Sequence, residues 1–305
     1  MSHIYEAIQR ADRERNAAPD SEVGKIANAV MASEVEEQPR AKTVAVPGEI
    51  VQYTWKPSLV SLPALASRGP SVEQFRSLRS RVTQLRSEAP LKTILISSGL
   101  PGEGKTFVAA NLALSLARNN VQRVLLIDAD LRRGTLHNLL GAPNVPGLTE
   151  YLAGTAELKD IMQRSLSPEI VENAENASAL CIPNLTFIPA GVCNDNSSEV
   201  ASNHRMEDLI AAVSPHFDWI LVDSPPVLAV TDAVDLARAA DAVLLIARGA
   251  STPFEAAQRA QAAFSNSRVL GFVLNAVKEA PRKGSYSYSY SYYYGREESQ
   301  TKDTQ

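Results

Sequence analysis

The stretch "KTILISSGLPGEGKTFVAANLALSLARNN" constrains this chain more than any other. An apolar run rich in β-branched residues leads into a glycine-bearing loop, and an Ala- and Leu-rich helical pattern follows at once. Gly99, Gly104, Lys105 and Thr106 satisfy the spacing G-x-x-x-x-G-K-[ST]. Glycines at these places let backbone N–H groups wrap an anion, and the N-terminus of the next helix adds its positive end. A lysine there reaches β- and γ-phosphates, and the Thr106 hydroxyl can ligate Mg²⁺. Strand, loop and helix in this order commit the chain to an α/β architecture that binds a nucleoside triphosphate.

The remaining apolar runs agree. "RVLLIDADLR", "LTFIPAG", "DWILVDSPP", "DAVLLIAR" and "RVLGFVLNAV" read as short buried strands, separated by helical stretches such as "RMEDLIAAVS", "DAVDLARAA" and "PFEAAQRAQAAFS". Ahead of them, Val72, Phe75, Leu78, Val82 and Leu85 fall at helical spacing. This rhythm predicts a P-loop NTPase, a mainly parallel sheet with helices on both faces, over residues 67–280. Residues 1–66 read as an N-terminal helix and linker. Ser2 can cap a narrow stripe of Ile4, Ala7, Ile8 and Ala11, after which Pro39, Pro47, Pro57 and Pro63 break any period. Residues 281–305 read as a flexible tail, and both ends are expected to be disordered.

Composition excludes several classes. A net charge of -4 argues against a nucleic-acid surface. There is no run of about 18 apolar residues and no secretory h-region at the start, so a cytoplasmic protein is expected. Cys181 and Cys193 form no C-x-x-C pair and read as free thiols. His3, His137, His204 and His216 show no metal spacing and read as surface or structural residues.

Two of the strands end in acids. "LLID" delivers Asp128, with Asp130 and Arg132 just beyond, and "ILVD" delivers Asp223. Carboxylates at the carboxyl ends of parallel strands sit at the crevice where such sheets bind ligands. Asp223 is placed to hold a Mg²⁺ water, with Thr106 and Asp130 as the other candidate metal residues, while Asp128 or Asp130 can orient or deprotonate an incoming hydroxyl. The tail "GSYSYSYSYYYG" holds six of the chain's nine tyrosines: Tyr286, Tyr288, Tyr290, Tyr292, Tyr293 and Tyr294. Low-complexity filler or a period-two strand would explain the pattern; so would phenols that are themselves substrates.

Together these motifs resemble the bacterial tyrosine kinases that control capsule and exopolysaccharide synthesis. "GLPGEGKT" looks like their Walker A, "VLLIDADLRR" like their second Walker motif, and "ILVDSPPV" like their Walker B strand. The tyrosine-rich tail looks like their autophosphorylation site. "EQFRSLR" is similar to the E-x-x-R-x-x-R helix through which these kinases pack into rings, and supplies Glu73, Arg76 and Arg79. The resemblance spans about residues 66–294. It implies a Mg²⁺- and ATP-dependent autokinase with Lys105, Asp128, Asp130 and Asp223 in catalysis. It also implies nucleotide contacts from Gly99, Gly102, Glu103, Gly104, Lys105, Thr106 and Phe107, with Asn275 at the adenine. Implied partners are further copies of the chain in a ring, a separate membrane-spanning polysaccharide co-polymerase that recruits it to the inner face of the membrane, and a cognate tyrosine phosphatase.

Two features qualify the match. The family's loop of the kind P-P-N-P-x-E-L-L is replaced by "GVCNDNSSEVASNHRMEDLI", where only Glu199 is comparably placed. ATPases of the partitioning and division-site type share the fold but carry an extra lysine early in the loop, where this chain has Leu100. An ATP-gated scaffold that regulates a polysaccharide polymerase without catalysis would use the same residues.

Overall fold

The computed structural model describes residues 50–58, 60–118, 122–166, 182, 184–192 and 205–277. The N-terminal helix, Cys181, Cys193, Glu199 and the tail tyrosines Tyr286, Tyr288, Tyr290, Tyr292, Tyr293 and Tyr294 lie outside them.

Eight strands form one sheet: β1 (Val51–Tyr53), β2 (Thr93–Ser98), β3 (Val124–Asp128), β4 (Gln163–Ser165), β5 (Leu185–Ile188), β6 (Trp219–Asp223), β7 (Ala242–Arg248) and β8 (Val269–Asn275). Their order across the sheet is β1-β4-β5-β3-β6-β2-β7-β8, and β4 against β5 is the antiparallel contact. The helices are α1 (Pro70–Glu88), α2 (Lys105–Ala117), α3 (Leu136–Leu140), α4 (Leu148–Ala153), α5 (Leu158–Ile161), α6 (Arg205–Val213), α7 (Asp232–Leu236) and α8 (Phe254–Ala263).

The inner strands β2, β3, β5, β6 and β7 read as largely apolar runs because the sheet is covered twice there, and alternate side chains enter different cores. Ile94, Ile96, Leu126 and Leu221 join α1, α2 and α3 on one face. Leu95, Leu125, Ile127, Ile220 and Val222 join α4, α6, α7 and α8 on the other. Helix α1 starts at Pro70, whose fixed φ suits a first turn, and buries Val72, Phe75 and Val82. Leu78 and Leu85 pack partly buried beside them, so the expected stripe is the one that docks.

The described fold reaches ahead of the expected boundary at residue 66. Val51–Tyr53 is a strand of the sheet, and Trp55, Leu62 and Leu65 are buried in the core beneath α2. The reason lies in α2 itself. Asn111, fully buried in mid-helix, accepts from Ala64 N at 3.0 Å and donates to Ser61 O at 3.2 Å. Arg118 donates to the carbonyls of Ala64 and Ala66. Residues 50–66 therefore belong to the folded unit, where they satisfy polar groups that would otherwise be buried alone.

Candidate active site

The loop between β2 and α2 turns on Gly104, whose φ of 92° lies in the left-handed region that glycine occupies without a Cβ clash. A Cβ there would also collide with the Asn275 side chain. Helix α2 then begins at Lys105, so its free N–H groups and positive end lie at the loop.

Strand order delivers the acids to that end. β6 lies between β2 and β3, with Ile96 beside Asp223 and Asp223 beside Asp128 in register. The two carboxylates thus occupy neighbouring strands, which are about 4.8 Å apart. Both are buried: Asp128 is 0% and Asp223 1% exposed. Asp128 accepts from Leu136 N at 3.0 Å and Asp130 N at 3.3 Å. Gly134 leaves it room, since a Cβ at that position would lie 3.1 Å from Asp128 Oδ2. Asp130 pairs with Lys105 across 3.1 Å, both side chains being largely buried. Arg132 pairs with Asp232 at the start of α7.

Asp223 is different. Both its oxygens are buried, and neither completes a hydrogen bond. Burial pushes its pKa up to about 7; Lys105 and the nearby Thr106 hydroxyl draw it down, and Asp130 pushes it up. Burial, and then the Asp223 charge, hold Asp128 well above the usual carboxylate range, partly offset by the N–H of Leu136. Two desolvated carboxylates with unspent acceptor capacity, next to a lysine and a hydroxyl, fit a hard cation that prefers oxygen. Among the described residues no three His, Cys, Asp or Glu side chains converge as ligands. Mg²⁺ needs no such set, because it keeps waters and takes substrate phosphate oxygens alongside one or two carboxylates.

Gly99, Gly102, Gly104, Lys105, Thr106, Asp128, Asp130 and Asp223 are thus brought to one end of the sheet. Three of the residues expected at the nucleotide make protein contacts in this structure. The Phe107 side chain turns into the core and meets Phe75 edge-on at 5.7 Å, leaving only its backbone to face the loop. Glu103 is buried, and its carboxylate accepts from Leu100 N and the Thr252 hydroxyl. Asn275 donates its amide to Glu103 O at 3.0 Å, so in this structure it braces the loop. Glu73 and Arg76 pair with each other at 2.5 Å on an exposed face of α1, whereas Arg79 donates to Ser115 O near the end of α2. Arg248 and Thr252, which reach the loop from the end of β7, were not expected; an Arg and a Thr after an apolar run carry no pattern that would single them out.

A phosphate loop at the carboxyl ends of parallel strands, facing a buried acid pair, defines a nucleotide-binding domain of the P-loop class. The AAA domain family model matches residues 91–255. The kinase domain of Escherichia coli tyrosine kinase ETK superposes with a TM-score of 0.63 at 32% identity, covering 79% of this chain and 89% of that one. Over 234 residues the chain is 36% identical to the tyrosine-protein kinase etk of Escherichia coli, which is 74% of this chain and 30% of the relative. Over 209 residues it is 35% identical to the tyrosine-protein kinase wzc of Salmonella typhimurium, 68% of this chain and 27% of the relative. The chain belongs to the bacterial tyrosine-protein kinase family. It spans less than a third of the length of these curated relatives.

Proposed function

We propose that this chain is an ATP-dependent protein-tyrosine autokinase that phosphorylates its own C-terminal tyrosine cluster in trans. The observation that carries this reading is the buried pair Asp128 and Asp223, the latter with both oxygens unpartnered, set beside Lys105 and Thr106. When bound, Mg²⁺ offsets the charge of the β- and γ-phosphates. Thr106, Asp130 and Asp223 are the residues that would hold it. Lys105 donates to the phosphate oxygens.

In the transfer, the tyrosine oxygen forms a bond to the γ-phosphorus as the bond to the β-phosphate oxygen breaks, and ADP leaves. The phenol needs little activation in a loose transition state, so a carboxylate mainly orients it and takes its proton late. That carboxylate is Asp128 or Asp130. The raised pKa of Asp128 favours it, because a more basic carboxylate is closer to the phenol it must relieve.

Family membership and the tyrosine cluster favour this reading over a partitioning-type ATPase, as does Leu100 in place of a loop lysine. The same resemblance supports a role in exopolysaccharide or capsule production, in a ring of copies at the inner membrane face. A membrane-spanning co-polymerase would be its activator, and a phosphatase would reset it. Among the described residues no helix is long and apolar enough to cross a membrane. The test is intact-mass and peptide mass spectrometry after incubation with Mg·ATP. Phosphate on Tyr286 to Tyr294 is expected in the wild type and absent in Lys105→Met; ATP hydrolysis without any phosphotyrosine would refute the reading.

A further inference from the structure

The phosphate loop is held by more than its own strand and helix. Glu103 carries an acidic side chain yet is only 3% exposed. One of its oxygens accepts from Leu100 N at 2.8 Å, and the other accepts from the Thr252 hydroxyl. Thr252 Oγ1 in turn accepts from Arg248 N at 2.8 Å. The Arg248 guanidinium donates to Gly102 O at 3.1 Å, and the Asn275 amide donates to Glu103 O at 3.0 Å. Gly249 N closes the ring on Asn275 O at 2.8 Å. Two successive loop carbonyls are therefore fastened by side chains from the ends of β7 and β8. In a planar trans peptide the C=O and the following N–H point opposite ways. Fastening the carbonyls of Gly102 and Glu103 thus turns the N–H groups of Glu103 and Gly104 away from the clamp.

We propose that Thr252 is a positioning residue for this loop, acting through Glu103. The inference rests on the reading of the site as one that binds a nucleoside triphosphate. A carboxylate inside a loop of convergent N–H groups competes with phosphate for the same donors. The Thr252 hydroxyl satisfies one Glu103 oxygen on the side facing β7. Without it, the donors left to this buried carboxylate are the loop amides, of which it already holds Leu100 N, and these are groups a triphosphate requires. Removing one partner of a buried hydrogen bond leaves the other to find compensation, and here the compensation comes at the nucleotide's expense.

The test compares wild type, Thr252→Val and Thr252→Ser by titration with a fluorescent ATP analogue in Mg²⁺, and by initial rates of autophosphorylation against ATP. Thr252→Val should weaken nucleotide binding and raise the KM for ATP by roughly tenfold or more. At saturating ATP, kcat should fall less than about threefold, because the acids that do the chemistry are untouched. Thr252→Ser, which keeps the hydroxyl, should stay within about threefold of wild type in both. A merely structural role would lower the urea midpoint without that split and without rescue by serine. Nucleotide binding by Thr252→Val equal to wild type, or a loss confined to kcat, overturns the proposal. If Thr252→Val does not fold, Thr252→Ala, which removes the same hydroxyl with no bulkier group in its place, should still bind the analogue about tenfold more weakly. Wild-type binding in Thr252→Ala would then overturn it. Failure of the wild type itself to bind Mg·ATP would instead overturn the nucleotide reading, so the two failures are separable.

Discussion

Replacing Asp223 by asparagine should stabilise the ligand-free protein at alkaline pH while disabling it. The carboxyl is held at about 7 against an ordinary 3.8. At ~1.36 kcal/mol per pH unit, ionising it in the fold costs about 4 kcal/mol relative to the unfolded chain. Because the folded pKa is the higher one, the folded state binds the extra proton between those two values. Stability therefore falls as pH rises from about 4 through 7, and the full penalty is present above that. Asp223→Asn abolishes this term but leaves a buried amide short of partners, at a cost of about 1–3 kcal/mol. The net expectation at pH 8.5 is a gain of roughly 1–3 kcal/mol, with Asp128 contributing in the same sense once its charged neighbour is gone.

At pH 5 the wild-type carboxyl is protonated in the fold and the gain should disappear. The swing between pH 5 and pH 8.5 is about 3 kcal/mol, which is two pH units of linkage. Urea denaturation in EDTA without nucleotide, at both pH values, measures it. Saturating Mg·ATP should reverse the order at pH 8.5, since only the wild type gains binding energy from the ion. An Asp223→Asn protein that is less stable than wild type at both pH values, or one whose pH dependence matches wild type, would refute the account of a desolvated, unpartnered charge.

Three further outcomes can be checked. Asp128→Asn should keep measurable ATP affinity and lose about 10²–10⁴-fold in turnover, whereas Lys105→Met should lose both; equal loss of binding in the two would deny their separate roles. Glu73→Ala with Arg76→Ala should lower the mass of assemblies in light scattering while leaving the urea midpoint almost unmoved, because an exposed ion pair contributes about 0–1 kcal/mol. A Lys105→Met chain with an intact tail should be labelled by an active chain lacking residues 285–305. A fully extended chain covers roughly 33–36 Å over the ten residues from Ala280 to Tyr290, and unlabelled tails in confirmed mixed oligomers would rule out transfer in trans.

What the sequence made legible follows from periodicity. β2, β3, β5, β6 and β7 could be read because a sheet covered on both faces makes its strands uniformly apolar, β8 because it is rich in Val and Leu although it lies half-exposed at the edge, and the phosphate loop because its glycine and lysine spacing is local. β1 and β4 escaped notice because three-residue strands such as "VQY" and "QRS" carry too little pattern. Trp55, Leu62 and Leu65 are isolated apolar residues among prolines, and only the polar face of α2 explains why they fold inward. Asp128, Asp130 and Asp223 were visible as strand-end acids, but their side-by-side register and the free oxygens of Asp223 depend on strand order. The braces Thr252, Arg248 and Asn275 lie about 145–175 residues from the loop they hold, a distance across which no short-range pattern speaks.

The embrace of α2 by residues 61–66 bears on how the protein can be taken apart. A fragment begun at residue 67 keeps every recognisable motif, yet it strips the roof from the helix that carries Lys105 and Thr106. Asn111 would then lose its bonds to Ala64 and Ser61 and keep only the one to Phe107 O, and the pocket left by Trp55, Leu62 and Leu65 would be open to solvent. Pulling on the chain ahead of α1 loads the middle of the helix whose first turn carries Lys105 and Thr106. Segments 50–66 and 105–117 are in this sense one mechanical part, with its handle on the outside and its jaw at the nucleotide.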